Sequence, residues 1–466
     1  MPQVPLIRGD RVSTDTDYRD ALAQNMYAVD REILGTAGYM LCYPGLTKLA
    51  DGSGSDRGAF YNDRQRNLFR VSGQKLISVS SAGAVTELGG IPGSSQAELD
   101  YSFNTQCIIA DGNMYLYGSS GFQQVTDSDL GNPLDVQWID GYYFLTDGEF
   151  IYHTNIADET AIDPLKFATA EFMPDASLGL GKTSDDKVIV FGRYSTEFFA
   201  NVATANFAFT RIETRSQKIG IVATHAKCES KGRWYITGGS REDSVSVYLM
   251  TSGAPEKVAT REIDKLIAQY TEPELSDIRM ECRVEDDVNF ILLHLPNETL
   301  CFNETIARTQ GIKNAWTRLR SGVQGQANYQ GINGVFDSRS SRWVFGNKFS
   351  QVVGYIDNTV FTQYDEIQEW LLYTPFVKIE SASINEVEME TIPGHTSFDD
   401  AVVSLSLTYD GLTYGKEWFE FYGQPLDYGK RFIIRRLGYV GDWVGFKFRG
   451  TTRSRMSFAR FNLEFS

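Results

Sequence analysis

The segment Gly181-Lys182-Thr183 is the part of the sequence that most closely imitates a catalytic motif. It resembles the end of a phosphate-binding loop, in which backbone N–H groups and a lysine hold phosphate oxygens. That motif also needs a glycine five residues before Gly181, where Ala176 stands, and a helix after Thr183. Here Ser184-Asp185-Asp186 leads instead into a predicted strand, Lys187 to Phe191. We therefore interpret the segment as a loop and not as a nucleotide-binding site.

The histidines and carboxylates show no spacing that is typical of a catalytic or metal site. The four histidines are isolated, without H-E-x-x-H or H-x-H spacing: His153, His225, His294 and His395. His294 lies in an apolar segment, so we expect it to be a hydrogen-bonded core residue. None of the 60 acidic residues is singled out as a general acid, base or nucleophile. The sequence therefore predicts no catalytic residue, no bound metal and no cofactor.

A basic stretch near the C-terminus is the strongest candidate for a binding surface. The segment 430–460 contains nine Lys or Arg side chains and one acid, Asp442, which gives it a net charge of +8. The rest of the chain carries -24, so the net charge of -16 is the sum of two unlike parts. We predict that eight of these cations face a protein partner: Lys430, Arg431, Arg435, Arg436, Lys447, Arg449, Arg453 and Arg455.

Two other interpretations of the basic stretch stay open. Its cations could pair within their own domain with Glu386, Glu388 and Glu390, which lie at i, i+2 and i+4 and so share one face of a strand. They could also contact nucleic-acid phosphates. The net charge of -16 argues against non-specific nucleic-acid binding as the main activity, because a polyanion is repelled by an acidic protein. Contacts with protein are therefore favoured over contacts with DNA.

The elements that position these residues are predicted to be β-strands. Short segments rich in aromatic and β-branched residues follow polar turns, as in Asn113 to Gly118 and Arg233 to Gly239. Most of these units recur at intervals that suit a four-stranded blade of a β-propeller, which needs about 40 to 50 residues. The interval from Asp111 to Asp140 is the misfit, because it is too short for a blade. We predict six or seven blades, and a stack of β-sandwiches is the alternative. The units begin at Asp63, Asp111, Asp140, Asp186, Lys231, Asp287 and Ser341.

One helix is predicted within this β-rich region, at Ala259 to Tyr270. Its apolar residues recur at i, i+3, i+4 and i+7 and form one face: Ile263, Leu266, Ile267 and Tyr270. Thr260 is the predicted N-cap, and Pro273 is expected to prevent continuation. We expect this helix to pack on the side of the β-rich body.

Composition divides the chain into three expected regions. Residues 1–40 form an N-terminal segment that packs on the β-rich body, residues 41–362 form the propeller, and residues 363–466 form a β-sandwich-like domain. With 42% hydrophobic and 22% charged residues, the chain can bury a sizeable core. No apolar run reaches the roughly 20 residues that a membrane-spanning helix needs. The five scattered cysteines, without a C-x-x-C pair, are expected to be reduced thiols.

Several short passages occur in the same order as in one known family. The chain as a whole resembles the tail accessory proteins of short-tailed bacteriophages (podoviruses), also called packaged-DNA stabilisation or tail hub proteins. The resemblance spans nearly the whole chain, and its weight lies in this collinearity. The passages are Asn25-Met26, Glu32 to Leu34, Gly38-Tyr39, Tyr43 to Lys48, Ala259 to Thr271, His294 to Pro296, Gln363 to Asp365, Leu371 to Pro375, Asp410 to Gly415, and Gly438 with Gly445 to Arg449.

The resemblance implies a structural virion protein without catalytic residues. In such a family, six copies form a homo-hexameric ring that closes the portal channel after DNA packaging and retains the packaged DNA. The ring links the head-to-tail adaptor to the tailspike trimers and the tail needle. Double-stranded DNA would pass through the channel without specific recognition, which an acidic wall favours. The chain would be made in the host cytoplasm, reside in the virion tail and insert into no membrane.

A carbohydrate-binding or glycan-cleaving β-propeller is the second hypothesis. Asp410-Gly411 resembles the Asp-containing hairpin turns of sialidase-like propellers, although the turn is one residue shorter and occurs once. Glycan cleavage would need two carboxylates facing each other across a cleft, roughly 5 to 9.5 Å apart. The sequence nominates no such pair.

Overall fold

The structure is a β-propeller followed by a β-sandwich. The computed structural model describes residues 3–5, 22–32, 34–156, 158–204, 206–251, 253–323, 327–391, 393–396, 398 and 401–466. Strands make up 53% of the structure and helices 6%, which confirms the predicted all-β fold.

The propeller has seven blades in the described part of the chain. Seven mainly antiparallel sheets follow one another along the sequence, each sheet contacts the next, and the seventh contacts the first. Apolar side chains fill the space between neighbouring blades, such as Phe69 against Ile108 between blades 1 and 2 and Leu116 against Val136 between blades 2 and 3. The sequence predicted six or seven blades, and the closed ring has seven.

The first four blades are regular four-stranded sheets. In each of them the strands are hydrogen-bonded in chain order. Blade 1 contains Asp56–Asn62, Asn67–Ser72, Lys75–Val79 and Val85–Gly90, and blade 2 contains Glu98–Tyr101, Gln106–Ala110, Asn113–Gly118 and Gly121–Gln124. Blade 3 contains Asp135–Ile139, Tyr142–Thr146, Ile151–Asn155 and Asp158–Ala168, and blade 4 contains Ser177–Lys182, Val188–Gly192, Thr196–Asn201 and Phe209–Arg211.

The last three blades have additional strands. Blade 5 contains Gly220–Ile221, Lys227–Ser230, Arg233–Gly239, Ser246–Leu249 and Glu256–Lys257. Blade 6 contains Arg279–Glu285, Val288–His294, Thr299–Asn303, Trp316–Ser321 and Ala327–Asn328. Blade 7 contains Gly331–Asp337, Arg342–Asn347, Val352–Asp357, Gly45–Asp51, Thr362–Gln363 and Glu366–Ile367.

The two ends of the propeller sequence meet in blade 7. Its fourth strand, Gly45–Asp51, comes from the start of the propeller and pairs antiparallel with Val352–Asp357. The seam between blades 7 and 1 also contains a fully buried ion pair, Arg70 to Asp56 at 2.7 Å. The Arg70 guanidinium also donates to the carbonyl of Asn333 in blade 7 at 2.9 Å. Backbone pairing within blade 7 and the hydrogen bond from Arg70 of blade 1 to blade 7 together close the ring.

The short interval from Asp111 to Asp140 has a simple structural cause. Asp63 and Asp140 lie in turns between the first and second strands of their blades, whereas Asp111 lies between the second and third strands of blade 2. The equivalent turn of blade 2 contains Phe103, which lies nearly midway in the sequence between Asp63 and Asp140. The intervals from Asp63 to Phe103 and from Phe103 to Asp140 therefore both suit a blade. The Asp-Gly turn at Asp111, with φ of 48° and 72°, is the more conspicuous of the two turns in the sequence.

The interpretation of Gly181-Lys182-Thr183 as a loop is wrong for its first two residues. Gly181 and Lys182 end the strand Ser177–Lys182 and pair with Ile189 and Val188. A Cβ atom on Gly181 would lie 2.7 Å from the Trp234 ring, so the glycine serves the packing of neighbouring blades. A strand and not a helix follows, as predicted.

The predicted helix exists but is shorter, at Arg261–Ile267, with Ile263 and Ile267 buried. Thr260 is its N-cap residue, but the side chain makes no capping hydrogen bond. Pro273 lies in a second short helix, Glu272–Leu275, whose first turn tolerates the missing N–H. The other helical segments among the described residues are Glu304–Thr309 and the 3₁₀ turns Glu213–Arg215, Ile312–Asn314 and Pro393–His395.

The C-terminal domain is a sandwich of two sheets, as predicted. Side chains such as Leu405, Phe446 and Phe461 fill the space between the sheets. The first sheet contains Gln3–Pro5, Arg460–Phe465, Ala382–Glu390 and Phe432–Val440. The second contains Glu369–Tyr373, Trp443–Thr451, Val402–Thr408 and Glu417–Phe421, with Val377–Lys378.

The described part of the N-terminal segment joins the two domains. A three-stranded sheet combines Met26–Val29 and Tyr39–Cys42 with Ser457–Phe458 of the sandwich region. Asn25, buried and with φ of 51°, donates its amide to the carbonyls of Arg320 (3.0 Å) and Glu369 (2.6 Å). Residues 1, 2, 6–21 and 33 of the predicted segment lie outside the described residues. The domain limits at 41 and 363 remain a prediction.

Candidate partner-binding surfaces

Two of the eight predicted partner-facing cations pair with acidic residues of their own sheet. Arg431 forms a bidentate ion pair with Glu388, in which Nη2 lies 2.7 Å from Oε2. Arg435 donates from Nε to Glu386 at 2.9 Å. The hydrogen bonds from Arg431 hold the pKa of Glu388 below its usual value. Glu390 pairs with Arg460 at 2.8 Å, so each of the three carboxylates has an arginine partner. The three carboxylates share one face of the strand, as predicted.

Three further cations, Lys430, Lys447 and Arg449, are half-buried against the sandwich. Lys430 donates to the carbonyl of Phe421 and lies over its ring. Lys447 lies 4.4 Å from the centre of the Tyr414 ring. Arg449 pairs with Glu369, a carboxylate that is only 5% exposed. Arg449 therefore compensates a buried charge within its own domain.

The last three cations differ from the others. Arg436 and Arg453 are exposed, and neither forms an ion pair with a described residue. Arg436 occupies a bulge with φ of 60°. Arg455 lines a pocket of about 210 Å³ between the propeller and the sandwich, beside Arg283 and Glu285.

The eight cations thus do not form a single patch. Arg431, Arg435 and Arg436 lie on the first sheet and Lys447 and Arg449 on the second. For Arg431, Arg435 and Arg449, the internal pairs favour the interpretation that the basic stretch balances acids of its own domain. Partner contact stays a prediction for these residues, and it is best supported for Arg436 and Arg453.

Sequence reasoning missed a group of charged side chains that meets across the propeller axis. The residues come from blades 2, 3, 5 and 6, at the beginning of one of the strands nearest the axis or just before it. Lys227 Nζ lies 2.9 Å from Asp135 and 4.0 Å from Glu98. His225 Nδ1 lies 2.6 Å from Glu98, and Arg279 approaches the same carboxylate at 4.0 Å. The only signal in the sequence was their common position in the repeat.

Two of these axial charges are almost completely removed from water. The Lys227 side chain is 7% exposed and the Asp135 side chain 3%. Burial alone would lower the pKa of Lys227, but Asp135 and Glu98 raise it above its usual value. Glycine makes room for the lysine stem, because a Cβ on Gly179 would lie 2.7 Å from Lys227 Cε. Such fully paired, buried charges tie distant blades together and fill the axis.

A neighbouring pocket of about 420 Å³ opens between blades 1, 6 and 7. Lys348 lines it and donates to the Thr299 hydroxyl at 3.0 Å. Burial lowers the pKa of Lys348 to about 7. His294 is a buried core residue, as expected, with Nδ1 3.1 Å from Thr299 Oγ1 and Nε2 2.9 Å from Glu281.

Among the described residues, no group of three or more His, Cys, Asp and Glu side chains is arranged to hold a metal ion. No helix in the part of the chain covered by the structure has the length and apolar character to cross a membrane.

Two family models match the chain, and they divide it in the same way as the fold. The model described as the β-propeller of bacteriophage P22 Gp10 matches residues 2–361, and that of the Gp10 β-sandwich matches residues 369–466. The chain belongs to the P22 Gp10 family. The tail hub protein gp10 of Salmonella phage P22 is 30% identical over 475 residues, covering 97% of each chain. This family assignment makes the protein a structural tail hub protein of a phage virion, and not an enzyme.

Solved propeller structures resemble the Gp10-family chain only distantly. A streptogramin B lyase has a TM-score of 0.43 and 10% identity, covering 68% of this chain and 97% of the lyase. The extracellular domain of a hybrid two-component system from B. thetaiotaomicron has a TM-score of 0.47 and 8% identity, covering 78% and 46%. The family assignment also favours the tail hub over the glycan-cleaving hypothesis.

Proposed function

We propose that six copies of this tail hub protein form a closed ring in the short tail of the virion. The ring closes the portal channel after DNA packaging and retains the packaged DNA. It links the head-to-tail adaptor to the tailspike trimers and the tail needle, and DNA leaves through the passage that the copies surround.

The filled propeller axis is the observation that carries this proposal. Lys227 from blade 5 reaches Asp135 of blade 3, and Glu98 of blade 2 lies beside both. A propeller whose axis is occupied by buried, paired side chains has no passage for a DNA duplex. A DNA channel built from this protein therefore has to lie between subunits, which supports a ring of several copies.

Two features support a rigid ring component. The first is the closure of the propeller, where the two ends of its sequence pair within blade 7 and the buried Arg70 of blade 1 donates to Asn333 of blade 7. The second is the junction between the domains, where buried Asn25 connects blade 6 to the sandwich. A subunit that resists the pressure of packaged DNA benefits from such closure. The net charge of -16 also disfavours adhesion of the passing duplex.

DNA retention tests the proposal directly. Filled heads from infected cells that lack a functional copy of this protein are expected to lose their DNA, which becomes sensitive to DNase. Addition of the purified protein should restore DNase resistance, and negative-stain electron microscopy should show rings at the tail vertex. Heads that stay DNase-resistant without the protein, or protein that binds no head, would contradict the proposal. Incubation with host polysaccharide serves as the control, in which we expect no sugar release.

A further inference from the structure

Blades 2 and 3 form an acidic flank of the propeller. The segment 76–165 contains thirteen acidic side chains and no Lys or Arg. It covers the outer half of blade 1, all of blade 2 and most of blade 3. We call this region the acidic flank. It accounts for much of the negative charge outside the basic stretch.

Most acids of the acidic flank have no cationic partner among the described residues. Five of the thirteen form ion pairs: Glu87, Glu98, Asp111, Asp135 and Asp163. The remaining eight have none, and four of them are exposed: Asp129, Asp140, Glu149 and Asp158. Uncompensated carboxylates on one side of a protein create a field that attracts cationic partners and repels polyanions.

A bulge projects from the outer strand of blade 3, within this flank. Ile162 pairs with Thr154 and Phe167 with Tyr152, so that residues 163–166 face the single residue His153. Bulges of this kind redirect side chains away from the regular sheet. The strand has eleven residues and is the longest in the described structure.

The bulge presents an apolar side chain on an ordered support. Asp163 accepts the N–H of Leu165 at 3.1 Å and pairs with Lys166 at 3.4 Å. Leu165 is 80% exposed. Beside it, Phe167 is 48% exposed and packs edge-on against Phe150, with ring centres 5.0 Å apart. Because the backbone at Leu165 is held in this way, a partner that covers the leucine has only its side chain to order.

We propose that the acidic flank, with the exposed Leu165 on its outer strand, docks another tail protein whose surface carries basic residues around an apolar pocket. The inference rests on the proposed function, because it assumes that the chain sits in a tail. Insertion of Leu165 provides affinity, and the surrounding carboxylates guide approach and orientation. Nucleic acid is the wrong partner for this surface, since its phosphates are repelled by unpaired carboxylates. Four of the nine cations in the basic stretch already pair with acids of the sandwich, which makes a second copy of this chain the less favoured partner.

Photo-crosslinking in the assembled particle identifies the partner. A benzophenone amino acid is placed at position 165, and a control particle carries it at Leu426, which is 77% exposed on the sandwich. We expect position 165 to give an adduct with a different tail protein, at a peptide rich in Lys and Arg. Adducts with DNA, adducts with a second copy of this chain, or no adduct at all would overturn the proposal.

A matched pair of variants tests the contribution of the leucine. Leu165→Ser is expected to reduce incorporation into tails about tenfold or more, whereas Leu426→Ser should incorporate normally. Equal incorporation of both variants would overturn the proposal. Circular dichroism of each purified variant shows that it is folded before it is used. If neither variant nor the unmodified protein enters particles, the proposed function fails; if only the effect at Leu165 is missing, this inference alone fails.

Discussion

Removal of the Lys227 amine from the propeller axis should destabilise the protein strongly. Lys227→Met leaves Asp135, 3% exposed and previously paired at 2.9 Å, without its counter-charge. Breaking a buried pair by removal of one partner costs roughly 3–5 kcal/mol. The exposed pair Lys48–Asp51 has a similar distance, 2.7 Å, and side chains that are 52% and 46% exposed. Lys48→Met should therefore cost no more than about 1 kcal/mol.

Hydrogen exchange measures this difference within the propeller. Peptides from Asp135–Ile139 and Lys227–Ser230 report the local opening free energy. In Lys227→Met, exchange should accelerate between about 10²- and 10⁴-fold, because each 1.4 kcal/mol is about a factor of ten. In Lys48→Met it should change less than about tenfold. This local measurement avoids the assumption that two domains unfold in one step.

A second substitution and the pH dependence test whether the unpaired Asp135 carboxylate causes the loss of stability in Lys227→Met. Asp135→Asn in the Lys227→Met background removes the unpaired charge and should recover most of the lost protection. Burial already raises the pKa of Asp135, and loss of Lys227 raises it further. A carboxyl group with a raised folded pKa takes up a proton more readily when folded, so the cost of Lys227→Met should shrink from about pH 7 to about pH 5. Equal costs for the two lysine variants, or no rescue by Asp135→Asn, would refute the reasoning.

Three further predictions concern other parts of the fold. Burial lowers the pKa of Lys348 to about 7, so the unfolded chain binds more protons than the folded protein between about pH 7 and 10. The free energy of unfolding should therefore rise with pH in this range. Lys348→Met should remove that rise, as measured by the urea midpoints at each pH. Asn25→Ala leaves buried backbone groups unpaired at a cost of about 1–3 kcal/mol, and limited proteolysis should then cleave the connection between the domains faster. Arg449→Met leaves Glu369 unpaired and should lower the free energy of unfolding by roughly 1.5–3 kcal/mol. Arg435→Met removes one partner of an exposed pair and should lower it by no more than about 1 kcal/mol. Thermal unfolding of the two variants measures the difference.

Each of these predictions has a result that would contradict it. An unchanged pH profile in Lys348→Met means that the amine is hydrated in the folded protein. Unaltered proteolysis of Asn25→Ala means that other contacts hold the domains together. Equal melting temperatures for Arg449→Met and Arg435→Met mean that burial does not decide the strength of these pairs.

Local sequence patterns were sufficient for the blade architecture because each blade is built from hairpins whose turns are visible in the sequence. Asp111-Gly112 and Asp140-Gly141 adopt positive φ angles, as such turns require. The blade count stayed open because the turn at Phe103 lacks such residues. The pairing of Gly45–Asp51 with Val352–Asp357 joins the two ends of the propeller sequence, and no local pattern reports such contacts.

The candidate sites were harder to predict because charge in the sequence does not reveal its partners. The basic stretch stands out in a linear count, yet Arg431 and Arg449 meet acids that lie 43 and 80 residues away. The axial pair of Lys227 and Asp135 joins two blades that are not adjacent, so neither residue looked unusual alone. The acidic flank is visible in the sequence as a long stretch without cations. The exposure of Leu165 depends on a bulge that no local pattern indicates.

Cryo-electron microscopy of the assembled virion tests the central claim most directly. We expect six copies of the chain around one passage, with DNA density between the subunits and side-chain density filling each propeller axis at Lys227 and Asp135. DNA density through a propeller axis, or the absence of this chain from the tail vertex, would contradict the account.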